Sequence, residues 1–399
     1  MYEPTKARIC DIKKLQPRKY PAPSNPINPP ITGKRKRASA DVATKSSVLP
    51  NGIIVRKASK SLKVFIGFIF EHIAITQPNK DIDFVVGFMD KLNGKNILVT
   101  GGAGFIGSHL CKKLSSLTQN LTIYDNLSNG KVENVKHLPK VHFVRADILD
   151  LKKLQSQEKP DLIYHLAAQV VVPYSMENPI EDFETNARGT LNVLEKARKD
   201  DARIVFASSA AVYGNTSQLP TPETHGFSPD SCYGLSKVVG EQYCNMYSRQ
   251  YGLDVTIVRF ANVYGPKCHG VIHDFLDKLS RNPEQLEIIG SGMQSRDFVH
   301  IYDVVDALLL CATSDVAIGE TFNIGYGETI TIIDLAKMIL KILGLSEKTV
   351  LKPTNVPWQG DIKTIWFDIS KIEKILKWTP KISLEDTLKE LILERNILG

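Results

Sequence analysis

The sequence predicts an α/β protein. Its centre is a doubly wound parallel sheet with helices on both faces. A smaller C-terminal α/β lobe follows it, and a disordered basic extension precedes it. Three observations predict this. Apolar runs at 97–100, 121–124, 141–145, 161–165, 203–208 and 254–259 are short and bounded, as strands buried on both faces are. Segments of helical period at 104–117, 180–199 and 235–251 lie between several of them, and such alternation implies parallel strands joined by crossover helices. The first run, Ile97 to Thr100, passes directly into Gly-Gly-Ala-Gly-Phe-Ile-Gly, a glycine turn that opens a helix.

In chain order, residues 1–60 form the extension. Eight prolines punctuate the first fifty residues, and Lys34-Arg35-Lys36-Arg37 is a run of cations. This composition buries too little apolar surface to offset the entropy of ordering. The basic run reads as a solvated tail, with a nuclear signal or acidic-surface contact as the sharper alternative. Residues 61–93 are a poorly defined linker. The stretch 61–76 is apolar enough for a short strand or helix, but no partner is evident. Met89 is itself a natural opening for a chain whose first strand binds a nucleotide. Residues 94–262 hold the sheet, and 263–399 the second lobe. There, helices are expected at about 271–281, 302–313, 331–343 and 384–396, with strands near 286–289 and 321–324.

Of 399 residues, 43% are hydrophobic and 23% charged, an ordinary globular balance. The net charge of +7 is unevenly spread. Residues 1–88 hold 16 Lys+Arg against 6 Asp+Glu, and the remainder 34 against 37. The folded part therefore has no nucleic-acid footprint. Six cysteines occur without a C-x-x-C pair, which argues against zinc and a disulfide framework and fits a reducing cytoplasm. No apolar run reaches the roughly 20 residues that span a bilayer. The run Val64 to Phe70 stops at Glu71 and His72.

The glycine turn carries the first chemistry. Gly101, Gly104 and Gly107 lie three residues apart. The first serves the tight turn, the second admits a pyrophosphate to the backbone, and the third lets helix and strand pack closely. Free N–H groups at the helix start then face the phosphate. Asp125 ends the second strand, 18 residues after Gly107, where a carboxylate accepts the adenosine ribose hydroxyls. An acid there repels a 2′-phosphate, which favours NAD over NADP. The sheet is thus of the Rossmann type.

The second chemistry lies further on. Strand 203–208 runs into Ser209, and a helix opens near Tyr233-Gly234-Leu235-Ser236-Lys237. Residues four apart share a helix face, so Tyr233 and Lys237 meet. A nearby ammonium favours phenolate, giving a base for a sugar hydroxyl near neutral pH. Ser209, at a strand's carboxyl end, reaches the same hydroxyl. His165 and His300 sit among apolar residues and read as packed core histidines.

With T-G-G-A-G-F-I-G-S, H-L-A-A (165–168), S-S-A-A-V-Y-G, Y-G-L-S-K and S-R-D-F-V-H-I-Y-D-V (295–304) in this order, residues 94–395 resemble the extended short-chain dehydrogenase/reductase family. They are most similar to its nucleotide-sugar epimerases of the UDP-glucose 4-epimerase type. The resemblance implies that Gly101, Gly104, Phe105 and Ile106 cradle the NAD pyrophosphate, beside the close-packing Gly107. It implies that Asp125 and Asn126 hold the ribose and that Asp147 and Ile148 lie by the adenine. It further implies that Ala167 and Ala168 line the cleft, with Asn186 near it. Ser209, Tyr233 and Lys237 match the catalytic trio. Asn262 and Arg296 match residues that hold a nucleotide sugar's diphosphate, and Asp361 an acid near the nucleotide's ribose. The plainer alternatives are a turn role for Asp147, a surface amide for Asn186, and a pairing of Arg296 with Asp297 or Asp303. No metal is implied.

One departure stands out: Trp358 occupies a position where the family commonly has a second diphosphate arginine. Ala210 and Ala211 follow Ser209, with no acid before Glu223. A 4,6-dehydratase needs a carboxylic acid there to protonate the leaving hydroxyl. The expectation is therefore a cytoplasmic NAD-dependent 4-epimerase of UDP-glucose/UDP-galactose or an N-acetylated analogue. Alternatives are an NAD(P)H-dependent keto-sugar nucleotide reductase, a dehydratase, and a non-catalytic NAD-binding scaffold. The resemblance also implies a homodimer through segments 180–199 and 235–251. Specificity is expected around Val171, Tyr174 and Val263.

Overall fold

The computed structural model describes residues 91–356 and 358–395, together with the short strands Ser47–Val48 and Ile54–Val55. The chain divides into two units, Met1–Ala74 and Ile75–Gly399. In the first, the two short strands pair antiparallel, Ser47 with Val55 and Val48 with Ile54. The other expectations for residues 1–90 lie outside the described residues.

The second unit is built on a seven-stranded, all-parallel sheet. We number its strands β1 (Asn96–Thr100), β2 (Asn120–Asp125), β3 (Val141–Arg145), β4 (Leu162–His165), β5 (Arg203–Ser209) and β6 (Val255–Phe260). Then come β7 (Asn262–Tyr264), β8 (Gln285–Ile288), β9 (Ser295–Arg296), β10 (Phe298–His300), β11 (Thr321–Ile324), β12 (Ile330–Thr331) and β13 (Val350–Pro353). The order in the sheet is β3-β2-β1-β4-β5-β6-β11. Ile97 in β1 is paired on one side with Leu121 and on the other with Leu162. The winding therefore reverses between β1 and β4, and in such sheets the crevice beyond the strands' carboxyl ends is where ligands bind.

The central strands form because their side chains leave water on both faces: every residue of β4 and β6 is buried. The helices are α1 (Phe105–Leu117), α2 (Leu151–Gln155), α3 (Val172–Glu177), α4 (Pro179–Phe183), α5 (Gly189–Asp200) and α6 (Cys232–Tyr251). The second lobe adds α7 (Val271–Arg281), α8 (Ile301–Thr313), α9 (Ile332–Ile342), α10 (Ser370–Leu376) and α11 (Leu384–Arg395). Ser231 caps α6 by accepting the Gly234 N–H, and Gly252 ends it at φ 68°. The helix expected over 180–199 forms, and a π turn at Glu184–Arg188 lies within it between α4 and α5, with the backbone helical throughout.

The C-terminal segments depart from the expected division at 262/263. β11 pairs parallel with β6, Phe322 opposite Val258, so the main sheet takes its seventh strand from beyond that boundary. The α8 helix packs against α1 on the same sheet. The second lobe proper has its own core, in which Phe275, Leu276, Leu286, Leu335, Ile339 and Leu388 meet. His165 and His300 are buried packing residues, as expected. Burial lowers their pKa, to about 3 and about 4. Among the described residues no helix is long and apolar enough to cross a membrane.

Candidate active site

The three glycines occupy the positions their spacing requires. Gly101 has φ 69°, and a Cβ there would lie 2.6 Å from the Ala167 nitrogen, where the β1 and β4 ends meet. At Gly107 a Cβ would come within 2.2 Å of the Gly101 carbonyl oxygen. At Gly104, by contrast, it would meet only that oxygen, at 3.3 Å, so the loop is open on this side. Gly104 is also the N-cap of α1, with no side-chain cap and no acid in the first turn. The helix start thus offers N–H groups and a positive dipole end to an anion, which fits a dinucleotide's pyrophosphate. Phe105 and Ile106 are the first residues of that turn.

Asp125 ends β2 and is buried. Its Oδ2 accepts from the Ala103 N–H at 2.9 Å and its Oδ1 from the Leu127 N–H at 2.8 Å, which locks the carboxylate against the glycine loop. The Asn126 Nδ2 donates to Asp147 Oδ2 at 2.8 Å, joining the loops after β2 and β3. Ile148 turns into the core instead, beneath Gly189. Ala167 and Ala168 follow β4, and the Ala167 N–H points to Thr100 Oγ1 at 3.4 Å. Asn186 lies in the π turn and is no surface amide. Its Nδ2 reaches Gln169 O (2.9 Å), Asp182 Oδ1 (3.0 Å) and Ser236 Oγ (3.1 Å), and its Oδ1 accepts the Gln169 N–H at 2.9 Å. It pins the loop after β4 to α6.

Ser209, Tyr233 and Lys237 come together at the ends of β5 and α6. The Tyr233 side chain lies within the influence of Ser209, whose Oγ accepts the Ala211 N–H at 3.2 Å. Lys237 is buried. Its Nζ donates to Ala207 O at 3.0 Å and lies 5.9 Å from the Tyr233 ring centre. Burial lowers the Lys237 pKa to about 8. The lowering expected for Tyr233 is not found in the protein alone: burial raises its pKa, against a smaller downward pull from Ser209. A buried phenolate is costly until a cation or donor is close.

Among the residues expected to hold the substrate, Asn262 opens β7, and its N–H donates to Asp297 O at 2.9 Å. Arg296 and Asp361 pair with each other, both side chains buried. Neither alternative partner of Arg296 holds. Asp297 accepts N–H groups of Tyr326, Gly327 and Phe367, and Asp303 that of Ile382. Trp358 is exposed, three residues before Asp361. Tyr174 turns its hydroxyl to Glu181.

Two groups beside the site escaped the sequence reading. Asp182 stands four residues before Asn186, and Glu241 four after Lys237; helical spacing was the available signal in both cases. Glu241 accepts from Ser208 Oγ and holds Arg259 at 2.6 and 2.9 Å. Arg259 in turn bonds the Tyr213 hydroxyl at 2.8 Å. This buried pair ties β5, α6 and β6 together directly behind Ser209.

Residues 97–325 match the NAD dependent epimerase/dehydratase family. The chain is 41% identical over 305 residues to a putative UDP-glucose 4-epimerase of Methanocaldococcus jannaschii, covering 74% of this chain and 97% of that protein. It is 33% identical over 320 residues to UDP-glucuronic acid decarboxylase 1 of Xenopus tropicalis, covering 77% and 73%. A crystal structure of UDP-glucose 4-epimerase with UDP-glucose from Thermotoga maritima superposes with a TM-score of 0.70 at 38% identity, covering 76% of this chain and 100% of that one. The matched span contains both the glycine cradle and the Ser-Tyr-Lys group, and the chain belongs to the NAD dependent epimerase/dehydratase family.

Proposed function

We propose that the protein is a nucleotide-sugar 4-epimerase, acting on UDP-glucose/UDP-galactose or an N-acetylated analogue. The observation that carries this reading is what surrounds Ser209. Ala210 and Ala211 follow it, and methyl groups donate no proton. The next acid, Glu223, spends its Oε1 on the Asn323 N–H at 2.8 Å. Dehydration at C6 has no evident acid there, whereas epimerisation at C4 requires none.

In this reading Tyr233 removes the proton of the C4 hydroxyl, Ser209 orients that hydroxyl, and Lys237 stabilises the phenolate. Bound NAD would supply a reversible hydride acceptor for C4; inversion would follow when the hydride returns to the other face of C4 and Tyr233 gives the proton back to the C4 oxygen. Gly101, Gly104, Phe105, Ile106 and Gly107 hold its pyrophosphate, and Asp125, Asn126 and Asp147 its adenosine end. Ala167 and Ala168 wall the cleft, while Ile148 and Asn186 support it from behind. Asn262, Arg296 and Asp361 take the substrate's nucleoside diphosphate. The protein acts as a homodimer.

Product analysis by NMR tests the reading. The full chain is incubated with UDP-glucose, UDP-GlcNAc and UDP-glucuronate in turn, with no added cofactor. A galacto-configured product from any of them, absent with Tyr233→Phe, is the expected result. Turnover of a keto-sugar nucleotide only with added NADH or NADPH would replace it by the reductase reading.

A further inference from the structure

Helix α4 carries a buried acid that the proposed reaction does not use. Asp182 is 1% exposed. Its Oδ1 accepts from Asn186 Nδ2 at 3.0 Å and from Gln169 Nε2 at 3.1 Å, while its Oδ2 has no hydrogen-bond partner. The same Asn186 amide reaches Ser236 Oγ at 3.1 Å. Asp182 therefore stands behind the first turns of α6, where Tyr233 and Lys237 lie.

A buried ammonium needs an anion close by. Lys237 donates to the Ala207 carbonyl, which carries no net charge. Glu241, one turn further along α6, is engaged by the Arg259 guanidinium. Asp182 is the foremost anion acting on Lys237; burial raises the Asp182 pKa, and its hydrogen bonds and the Lys237 charge pull the other way. The other ionisable groups near α4 are otherwise occupied. Glu181 accepts the Tyr174 hydroxyl at the surface, Glu184 pairs with Arg188, and His165 is held between Thr100 and Thr190. We propose that Asp182 is a positioning residue, the fixed counter-charge that keeps buried Lys237 an ammonium beside Tyr233. This rests on the reading of Tyr233 and Lys237 as the reacting pair.

The test is a cycle of melting temperatures on the full chain, which needs no turnover. Asp182→Asn keeps size and shape. In the wild-type background it removes the counter-charge and lowers Tm. In the Lys237→Met background it removes an unbalanced buried carboxylate and raises Tm. A chain that folds with both changes but not with Asp182→Asn alone is the same result in stronger form. Glu181→Gln, one residue away at the surface, shifts both backgrounds alike. Equal shifts from Asp182→Asn in both backgrounds, or loss of folding in both, would overturn the proposal. A second readout is the pH profile of epimerisation. Removing an anion lowers the pKa of every neighbour, so both limbs move to lower pH, by about one unit. A lower rate with unmoved limbs is what a merely structural role gives, and it counts against the proposal. Absence of turnover in the wild type would end the 4-epimerase reading and leave the Tm cycle to decide on Asp182.

Discussion

Arg296 and Asp361, 65 residues apart in sequence, form one buried ion pair, and Gln294 Nε2 holds the second Asp361 oxygen at 3.2 Å. Both residues are proposed to hold the substrate's nucleotide, so each has a partner that competes with it. The Arg296 guanidinium is further tied to Ser295 O at 2.9 Å. Arg296→Met leaves a buried carboxylate unpaired, which costs about 3–5 kcal/mol. Adding Asp361→Asn recovers most of that stability but not UDP affinity. Urea unfolding and UDP titration of the single and double variants check this. Recovery of UDP binding along with stability would remove Arg296 from the diphosphate site.

The pairing also marks where the sequence stops being legible. Strands buried on both faces read as apolar runs whatever lies beside them, so β1, β4, β5 and β6 were visible without knowing their neighbours, while β3, an edge strand with only Val144 buried, was visible by its Val and Phe residues alone. The glycine spacing and the Tyr233–Lys237 interval are local geometry, and local geometry survives in sequence. β11 was visible as a strand, but its sheet was not: Thr-Phe-Asn-Ile fits either lobe, and only the return of the chain past α8 places it beside β6. Arg296, with two acids nearer in sequence, gave no sign that Asp361 was its partner. The π turn around Asn186 has no compositional signature, and burial of Tyr233 outweighs a neighbour effect that spacing alone suggests.

The glycine cradle separates binding from folding. Gly104→Ala puts a methyl group where the loop is open, so the fold is retained at a cost of about 1 kcal/mol for the poorer N-cap. NAD affinity falls roughly tenfold or more, at least about 1.4 kcal/mol. Gly107→Ala drives a methyl group into the Gly101 carbonyl and destabilises the fold itself, by about 1–3 kcal/mol. Calorimetric NAD titration beside thermal unfolding distinguishes the two. Equal loss of stability in both variants contradicts the assignment of an open cradle at Gly104.

The proposed homodimer has a specific test. Ile180 and Phe183 on α4 and Leu235 on α6 are exposed apolar side chains, and Ile180 is 78% exposed. A second copy covering them accounts for their chemistry. Ile180→Glu with Leu235→Glu should convert a dimer to a monomer in sedimentation at micromolar concentration. A wild-type monomer under the same conditions sinks the idea.

Lys237 predicts a pH dependence of stability with a defined sign. Burial holds its folded pKa at about 8, below the ordinary lysine value of about 10.4. Between those two values the unfolded chain binds a proton that the folded chain does not. Stability therefore rises with pH in that window. Below pH 8 the full cost of burying the ammonium is present; above it the cost is relieved. Measured against Lys237→Met, which has no charge to bury, the stability of the wild-type apoprotein should climb from pH 8 to pH 10 and be level from pH 6 to pH 7. Urea unfolding of both proteins across that range provides the comparison. A flat difference would mean that Lys237 keeps an ordinary lysine pKa in the fold, and that the charge balance around Tyr233 is set by something other than its burial.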